Sequence, residues 1–355
     1  MRIIIPILGK FGNSGGFRVL SKLANYWTAS GNKVIFLAHV NTELPYFPTT
    51  AELLYYNKKG ELVAKDNQDI SMPLLRMFHL REAMKKALNK CKADVVLANH
   101  CLTALPVKQS LIDAKKFYYV QAYEPEYYYR KTLKDFIFKR ISKNSYNLGL
   151  DIIVNADMYK NYANLQSSKV VYPGIDLEVF HPAPTKKSKN QKIIIGTIGR
   201  LEEYKGTSYV IEAFQLLRKE LGNHVELHVA FGEEAMENTE GVKVFYPNGD
   251  NNLADYYRSL DVYVCAGTVQ LEAIHYPVLE SMACGVPLIT TGYYPSNEDN
   301  SWKINIKNSQ DIVAKLKDLM NNPLLAKKKK NNAVQSIEEF AWTKIAIKML
   351  SYFEA

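Results

Sequence analysis

At 355 residues, 47% of them hydrophobic and 23% charged, the chain is too long for one ordinary core, too apolar to be disordered end to end, and predicts two domains of roughly 150 residues or more. A membrane span, a secretory leader and a disulfide or zinc scaffold are not expected. No segment approaches the ~20 apolar residues of a span, the run MRIIIPILGK is short, and Cys91, Cys101, Cys265 and Cys284 show no CxxC pair, so a reduced, cytoplasmic protein is the expectation. The net charge of +9 is lopsided: residues 1–180 hold 25 Lys and Arg against 15 Asp and Glu, and residues 181–355 hold 20 against 21. That points the first half toward an anionic membrane or a nucleic acid, beside the plainer reading of scattered surface lysines.

Arg2 to Leu8 reads as a strand, and Gly9, Gly12, Gly15 and Gly16 as a tight turn before a helix over Phe17 to Ser30. A strand over Lys33 to Val40 completes a βαβ start. Glycines at a helix entrance let a phosphate or sugar approach backbone N–H groups, but the spacing is not GxGxxG and a dinucleotide fingerprint is poorly matched. Residues 49–80 carry no legible function. A helix over Leu80 to Lys92 and a strand over Ala93 to Ala98 deliver Asn99 and His100 to a strand's carboxyl end, where His100 is either a site residue or a satisfied, partly buried one.

The strand Phe117 to Gln121 runs into AYEPEYYYR, where Gln121, Tyr123, Glu124, Glu126, Tyr127 and Tyr128 crowd one loop. Aromatic faces beside carboxylates suit sugar recognition, and an aromatic loop packed on its own domain is the competing reading. Lys131 to Lys143 reads as a basic helix whose apolar Leu133, Phe136, Ile137, Phe138 and Ile141 are expected in the core rather than on a bilayer. A strand over Asp151 to Asn155 and a helix over Ala156 to Asn164 precede VVYPGIDLEVFHPAP and the polar stretch TKKSKNQ, the best interdomain linker. The domains are therefore drawn as 1–181 and 182–337, with a C-terminal helix at about 338–355 packing back on the first.

The second half restarts as the first did. Lys192 to Ile198 is a strand, Gly199 to Gly206 the turn GRLEEYKG, and Thr207 to Leu221 a helix capped by Thr207 or Ser208. Arg200 and Lys205 share that turn beside a helix start, where a diphosphate gains most from two cations and the dipole; two surface cations beside Glu202 and Glu203 is the bland alternative. Strands over Val225 to Ala230, Val242 to Phe245 and Asp261 to Cys265, and a helix over Asn252 to Ser259, lead to EAIHYPVLESMACGVPLITT at Glu272 to Thr291. There Pro277 opens a helix, Gly285 stops it, and a strand follows. Val278, Leu279 and Met282 fall on a core face, leaving Glu280 toward the sheet's carboxyl edge, where open α/β sheets bind ligands; a solvated acidic helix start competes. Helices over 310–320 and 333–353 are expected on either side of the lysine run Lys327 to Lys330. The prediction is α/β, two Rossmann-like parallel-sheet domains facing a central cleft.

VYPGIDLEVFHP, GRLEEYKG, and Glu272 to Glu280 with the following SMACGVPLITT resemble, in order and spacing, the signatures of the retaining family-four glycosyltransferases of GT-B fold; the two glutamates match that family's E-x7-E pattern. The resemblance implies transfer of a sugar from a nucleotide-diphosphate sugar to a glycan or lipid-linked glycan, with retention, with no cofactor and no required metal. It implies that Gly199, Arg200 and Lys205 hold the diphosphate, that Glu280 accepts hydrogen bonds from the ribose, and that Glu272 with the backbone of Ala273, Ile274, His275 and Tyr276 faces the donor sugar. Glu272, Arg200 and Lys205 are then the catalytic candidates. Gly15 and Gly16 close on the donor, and His100, Gln121, Tyr123 and Glu124 are acceptor or sugar-binding candidates. Ile274 and His275 stand where many members carry Phe-Gly, and Gln121 where many carry histidine. VQAYEP resembles a subset that adds rhamnose or related deoxysugars to bacterial surface polysaccharides, which implies an enzyme peripheral to the inner face of the cell membrane. An NAD-dependent dehydrogenase shares the βαβ halves but needs a phosphate fingerprint and a following acidic residue that are not convincing here. A nucleic-acid binder has no recognised motif, and nucleic acid is not expected as a partner.

Overall fold

The computed structural model describes residues 1–7, 9, 11–12, 14–65, 76–128, 132–182, 192–199 and 202–355. Arg200 and the expected linker at 185–191 lie outside the described residues. Two compact units are present, Met1–Gly174 with Trp342–Ala355, and Ile175–Ala341.

In the first unit the chain forms β1 (Arg2–Ile7), α1 (Gly15–Ala29), β2 (Lys33–His39), β3 (Glu52–Tyr56), β4 (Leu62–Val63), α2 (Arg76–Leu88), β5 (Val95–Ala98), α3 (Cys101–Gln109), β6 (Lys115–Val120), α4 (Leu133–Ser145), β7 (Asp151–Val154) and β8 (Lys169–Val170). The sheet order is β4-β3-β2-β1-β5-β6-β7-β8, with only the β3–β4 pair antiparallel. β1 is buried from Ile3 to Ile7, as a strand covered on both faces must be. Pro6 lies beyond the rungs that β1 shares with β5, and Asn99 Nδ2 donates to its carbonyl at 2.9 Å. Chain order reverses between β1 and β5, so the loops after these two strands flank a topological switch point.

The second unit holds β9 (Ile193–Ile198), α5 (Thr207–Leu221), β10 (Val225–Ala230), β11 (Val242–Phe245), α6 (Gly249–Ser259), β12 (Val262–Cys265), α7 (Tyr276–Ala283), β13 (Leu288–Thr290), β14 (Trp302–Lys303), α8 (Ser309–Asn321) and α9 (Pro323–Ile337). Its parallel sheet runs β11-β10-β9-β12-β13-β14, so the switch point falls between β9 and β12. The last helix, α10 (Trp342–Glu354), is part of the first unit. There Trp27 Nε1 donates to the Ala346 carbonyl at 3.0 Å, and the Phe353 ring meets Trp27 and Phe117.

Several elements differ from the sequence expectation. Ala156 to Asn164 forms only a 3-10 turn at Asp157–Asn161, and the single helix expected over 333–353 is two, α9 and α10, separated at 338–341, where Ile175 pairs with Ala341. The lysine run lies inside α9, where Lys329 is buried, donates to the Glu298 and Ser301 carbonyls and sits over the Trp302 ring. α5 begins after Gly206 in a left-handed conformation, with no side-chain cap from Thr207 or Ser208. In α4 the buried positions are Ser142 and Ser145, while Leu133, Phe136 and Ile137 are exposed rather than in the core.

Candidate functional site

At the second unit's switch point, two loops are joined through their backbones. The loop after β9 ends in a 3-10 turn, Glu203–Lys205, and Gly206 at φ 75°. A Cβ on Gly206 would stand 1.9 Å from the Ala266 carbonyl oxygen, so only glycine allows this turn to lie against the end of β12. The Tyr204 carbonyl accepts the Thr268 N–H at 2.9 Å. Lys205, half-buried, thereby shares one strand edge with the loop that leads to Glu272 and α7. Its charge is felt by the Cys265 thiol, which burial pushes up to about 12 while Lys205 pulls the other way. Gly199 approaches Gly232 so closely that a Cβ would stand 2.5 Å from the Gly232 Cα, which brings the ends of β9 and β10 together.

The loop from Gly267 to His275 is held from behind by β13 and the segment after it. Thr291 Oγ1 donates to the Gly267 carbonyl and the Tyr293 hydroxyl to the Val269 carbonyl; Tyr294 N–H donates to the Ala273 carbonyl. Glu272 is exposed on this loop. The Ala273 N–H closes a turn on the Gln270 carbonyl at 3.0 Å and is spent inside the loop, so it is not one of the backbone donors expected from Ala273 to Tyr276. His275 precedes α7, its ring stacked on Tyr293 at 4.6 Å, and Tyr276 rather than Pro277 is the first helical residue. Val278, Leu279 and Met282 are fully buried as the periodicity predicts. Glu280 is buried as well, and its carboxylate accepts the Tyr257 hydroxyl at 3.0 Å, a partner that sequence spacing did not indicate.

Phe231 was also missed. It directly follows β10 at φ 56°, a conformation costly for a bulky residue, and is held there by its N–H on the Phe245 carbonyl at 2.7 Å. The residue is 44% exposed at the edge that Gly199 and Gly232 share. A left-handed backbone at a phenylalanine leaves no mark in the sequence.

The first-unit candidates separate into two groups. Gly15 and Gly16 open α1, and a Cβ on Gly16 would stand 3.4 Å from the Gln121 side-chain amide, so Gly16 and Gln121 meet at the carboxyl edge of β6. His100 caps α3: its Nδ1 accepts the Leu102 N–H at 3.1 Å, which assigns the ring proton to Nε2, 3.4 Å from a Glu124 oxygen. Glu124 is not on an open sugar-binding loop. It is buried and accepts the Cys101 N–H and the Tyr118 hydroxyl, each at 2.9 Å. Tyr123 is likewise a packing residue, stacked on Tyr146 at 5.8 Å and leaning on Tyr162 at 4.3 Å. The aromatic loop thus packs on its own unit and leaves His100 and Gln121 nearer the edge. His100, Cys101 and Glu124 offer ligand-type atoms within 4.8 Å of one another. Burial, and then the Glu124 charge, push the Cys101 thiol far up, and the Glu124 carboxylate is already hydrogen-bonded to the Cys101 N–H and the Tyr118 hydroxyl.

Residues 182–336, nearly all of the second unit, match the family of glycosyl transferases group 1. The likeness to this family lies in the second unit. The chain is 24% identical over 247 residues to an uncharacterized glycosyltransferase of Methanocaldococcus jannaschii, covering 64% of this chain and 62% of that protein. It is 23% identical over 226 residues to spore coat protein SA of Bacillus subtilis, covering 53% and 58%. The chain therefore matches only about three fifths of the length of these relatives. Sucrose-phosphate synthase from Thermosynechococcus elongatus is similar over 99% of this chain and 98% of its own, with a TM-score of 0.74 and 14% identity. The Anabaena protein HepE, in complex with UDP and glucose, is similar over 100% of both chains, with a TM-score of 0.73 and 14% identity. At such identities the likeness is one of fold: two parallel-sheet α/β domains of the GT-B class, the fold expected from the sequence. Among the described residues no helix is long and apolar enough to cross a membrane.

Proposed function

We propose that the protein transfers a sugar, a hexose or deoxyhexose, from a nucleotide-diphosphate donor to a hydroxyl of a glycan or lipid-linked glycan, with retention at the anomeric carbon and no required metal. The observation that carries this reading is the joining of the two second-unit loops through Tyr204, Gly206, Ala266 and Thr268, which gathers Lys205 and the Glu272–Glu280 segment on one strand edge of the unit that matches the group 1 family. In the transfer the bond from the anomeric carbon to the diphosphate oxygen breaks, a bond to the acceptor oxygen forms, and the proton of the acceptor hydroxyl passes to the leaving diphosphate oxygen. Arg200 and Lys205 meet the charge that develops on the leaving diphosphate, the stage at which fixed cations stabilise most. Glu280 takes the ribose hydroxyls, Phe231 offers a ring face to the base, and Glu272 with the backbone from Ile274 to Tyr276 meets the donor sugar. His100 and Gln121 serve the acceptor side. The run VQAYEP supports rhamnose or a related deoxysugar and a product such as O-antigen, made on the cytoplasmic side at the membrane.

HepE is in complex with UDP and with UDP-glucose, which makes uridine diphosphate the first nucleotide to test. Calorimetry on the full chain should show Lys205→Ala and Arg200→Ala each weakening UDP binding by about tenfold or more, the worth of one charge-assisted hydrogen bond, with EDTA leaving transfer unchanged. Wild-type affinity for every nucleoside diphosphate in both variants sinks the assignment of the diphosphate site.

A further inference from the structure

Helix α4 is bound on one side and open on the other. It packs on α3 and on the 3-10 turn Glu124–Tyr127, with Ser142 and Ser145 buried and Phe138 stacked on Tyr128 at 5.6 Å. Its outward side carries Leu133 (77% exposed), Phe136 (66%) and Ile137 (43%). Positions i, i+3 and i+4 are neighbours on a helix surface, so the three side chains form one apolar patch in the first turns. Tyr127, 60% exposed, belongs to the turn on which the helix rests. The same helix bears Lys134, Lys139, Arg140 and Lys143 against a single carboxylate, Asp135.

We propose that α4 is a membrane-surface helix that seats the first unit on an anionic phospholipid bilayer. Leu133, Phe136 and Ile137 enter the boundary between headgroups and acyl chains, and the lysines and arginine meet lipid phosphates. The charge pattern selects this occupant. An apolar patch among four cations repels a second copy of itself and complements a negative surface, to which basic side chains add attraction while apolar ones add insertion. Thirteen residues make a helix of about 20 Å, too short to span the hydrocarbon core, so the helix lies along the surface. The turn beneath it carries Glu124, the partner of His100, so the segment that meets the lipid packs directly on the turn whose carboxylate faces the acceptor-side histidine. This last point rests on the sugar-transfer reading; the lipid contact itself does not, and the two fail separately.

The test is sedimentation of the full chain with phosphatidylcholine vesicles, with and without phosphatidylglycerol, at low and high salt, alongside UDP calorimetry. Wild type should bind the anionic vesicles at least about tenfold more tightly than the neutral ones and lose that preference at high salt. The variant Phe136→Ser/Ile137→Ser, altered only at exposed positions, should keep its melting temperature and UDP affinity and lose about tenfold in binding to anionic vesicles. Lys139→Gln/Arg140→Gln should lose the salt-sensitive part alone. Equal binding by wild type and the Phe136/Ile137 variant, equal binding to neutral vesicles, or a wild-type dimer that this variant dissociates, each overturns the proposal, the last in favour of a self-association face. Lipid binding without UDP binding would leave it standing and remove the donor-site reading instead.

Discussion

A carboxylate buried in the first turns of a helix is costly unless its oxygens are hydrogen-bonded, and at Glu280 the Tyr257 hydroxyl supplies one such bond. Tyr257 is itself fully buried, and its phenol is driven far up first by that burial and then by the Glu280 charge, so it stays a neutral donor. Two roles of Glu280 can therefore be separated. Glu280→Ala leaves a buried phenol without this acceptor and should cost about 2 kcal/mol in urea unfolding. Glu280→Gln keeps an acceptor oxygen and the volume and should stay within about 1 kcal/mol of wild type. Both should weaken UDP binding by about tenfold if the carboxylate takes the ribose hydroxyls, because charge-assisted hydrogen bonds are lost in either case. Normal UDP affinity in the Gln variant leaves Glu280 with a structural role only. The places of Lys205 and Glu280 in the fold were legible because a cationic turn after one strand and an acidic helix start after another follow directly from the order of strands and helices in a parallel sheet. The partners of Tyr123 and Glu124 were not legible, because Tyr146, Tyr162, Tyr118 and the Cys101 N–H come from other segments of the chain.

At the scale of elements, β10 is tied to its neighbours by one carboxylate. Glu226 accepts Lys192 at 2.7 Å from just before β9 and Lys243 at 3.0 Å from β11, with His228 Nε2 at 3.5 Å. These bonds, Lys192 first, bring its pKa from the ordinary 4.5 down to about 2. The folded value lies below the unfolded one, so the stabilisation is complete above the unfolded pKa and is lost as pH falls through the folded one. The urea midpoint of the second unit should drop between pH 4.5 and 2, and Glu226→Gln should flatten the drop and lower the midpoint at neutral pH. An unchanged slope in the variant would assign acid sensitivity to other carboxylates. Strands such as β9 and β10 were legible from apolar runs between turn residues. α3 was not: Pro106 lies inside it, and the cap that starts it is a histidine, His100, with Thr103 completing the capping box. The division between α9 and α10 was hidden too, because IEEFAWT contains no glycine or proline, and the break comes with the Ile175–Ala341 pairing and the burial of Phe340. In α4 the composition was legible but the buried side was not. An isolated pattern of Leu, Phe and Ile cannot say that α3 and the turn at Glu124 pack against the serine side instead.

At the scale of the whole molecule, the chain leaves the first unit at Gly174 and returns to it at Trp342, so the first unit includes a helix that follows the entire second unit. Two βα halves were readable from repeated strand, turn and helix, and a C-terminal helix packing back on the first was expected; the contacts that hold that return are the ones α10 makes. Trp342, Ile345, Ala346, Met349 and Phe353 are buried there, and Phe353 meets the core rings of Trp27 and Phe117. Burying the four large side chains contributes on the order of 8 kcal/mol, an upper value from apolar area. A whole domain has a net stability of about 5 to 15 kcal/mol, so the first unit should not survive the loss of α10. The second unit takes no residue from α10 and keeps both joined loops. A chain ending at Ala341 should therefore lose one calorimetric transition, expose Trp27 to solvent by fluorescence, and retain a second transition that UDP still raises, since binding to the native state alone stabilises it. Loss of both transitions would mean that the second unit does not fold without the first. Retention of both would mean that α10 contributes far less than its burial implies.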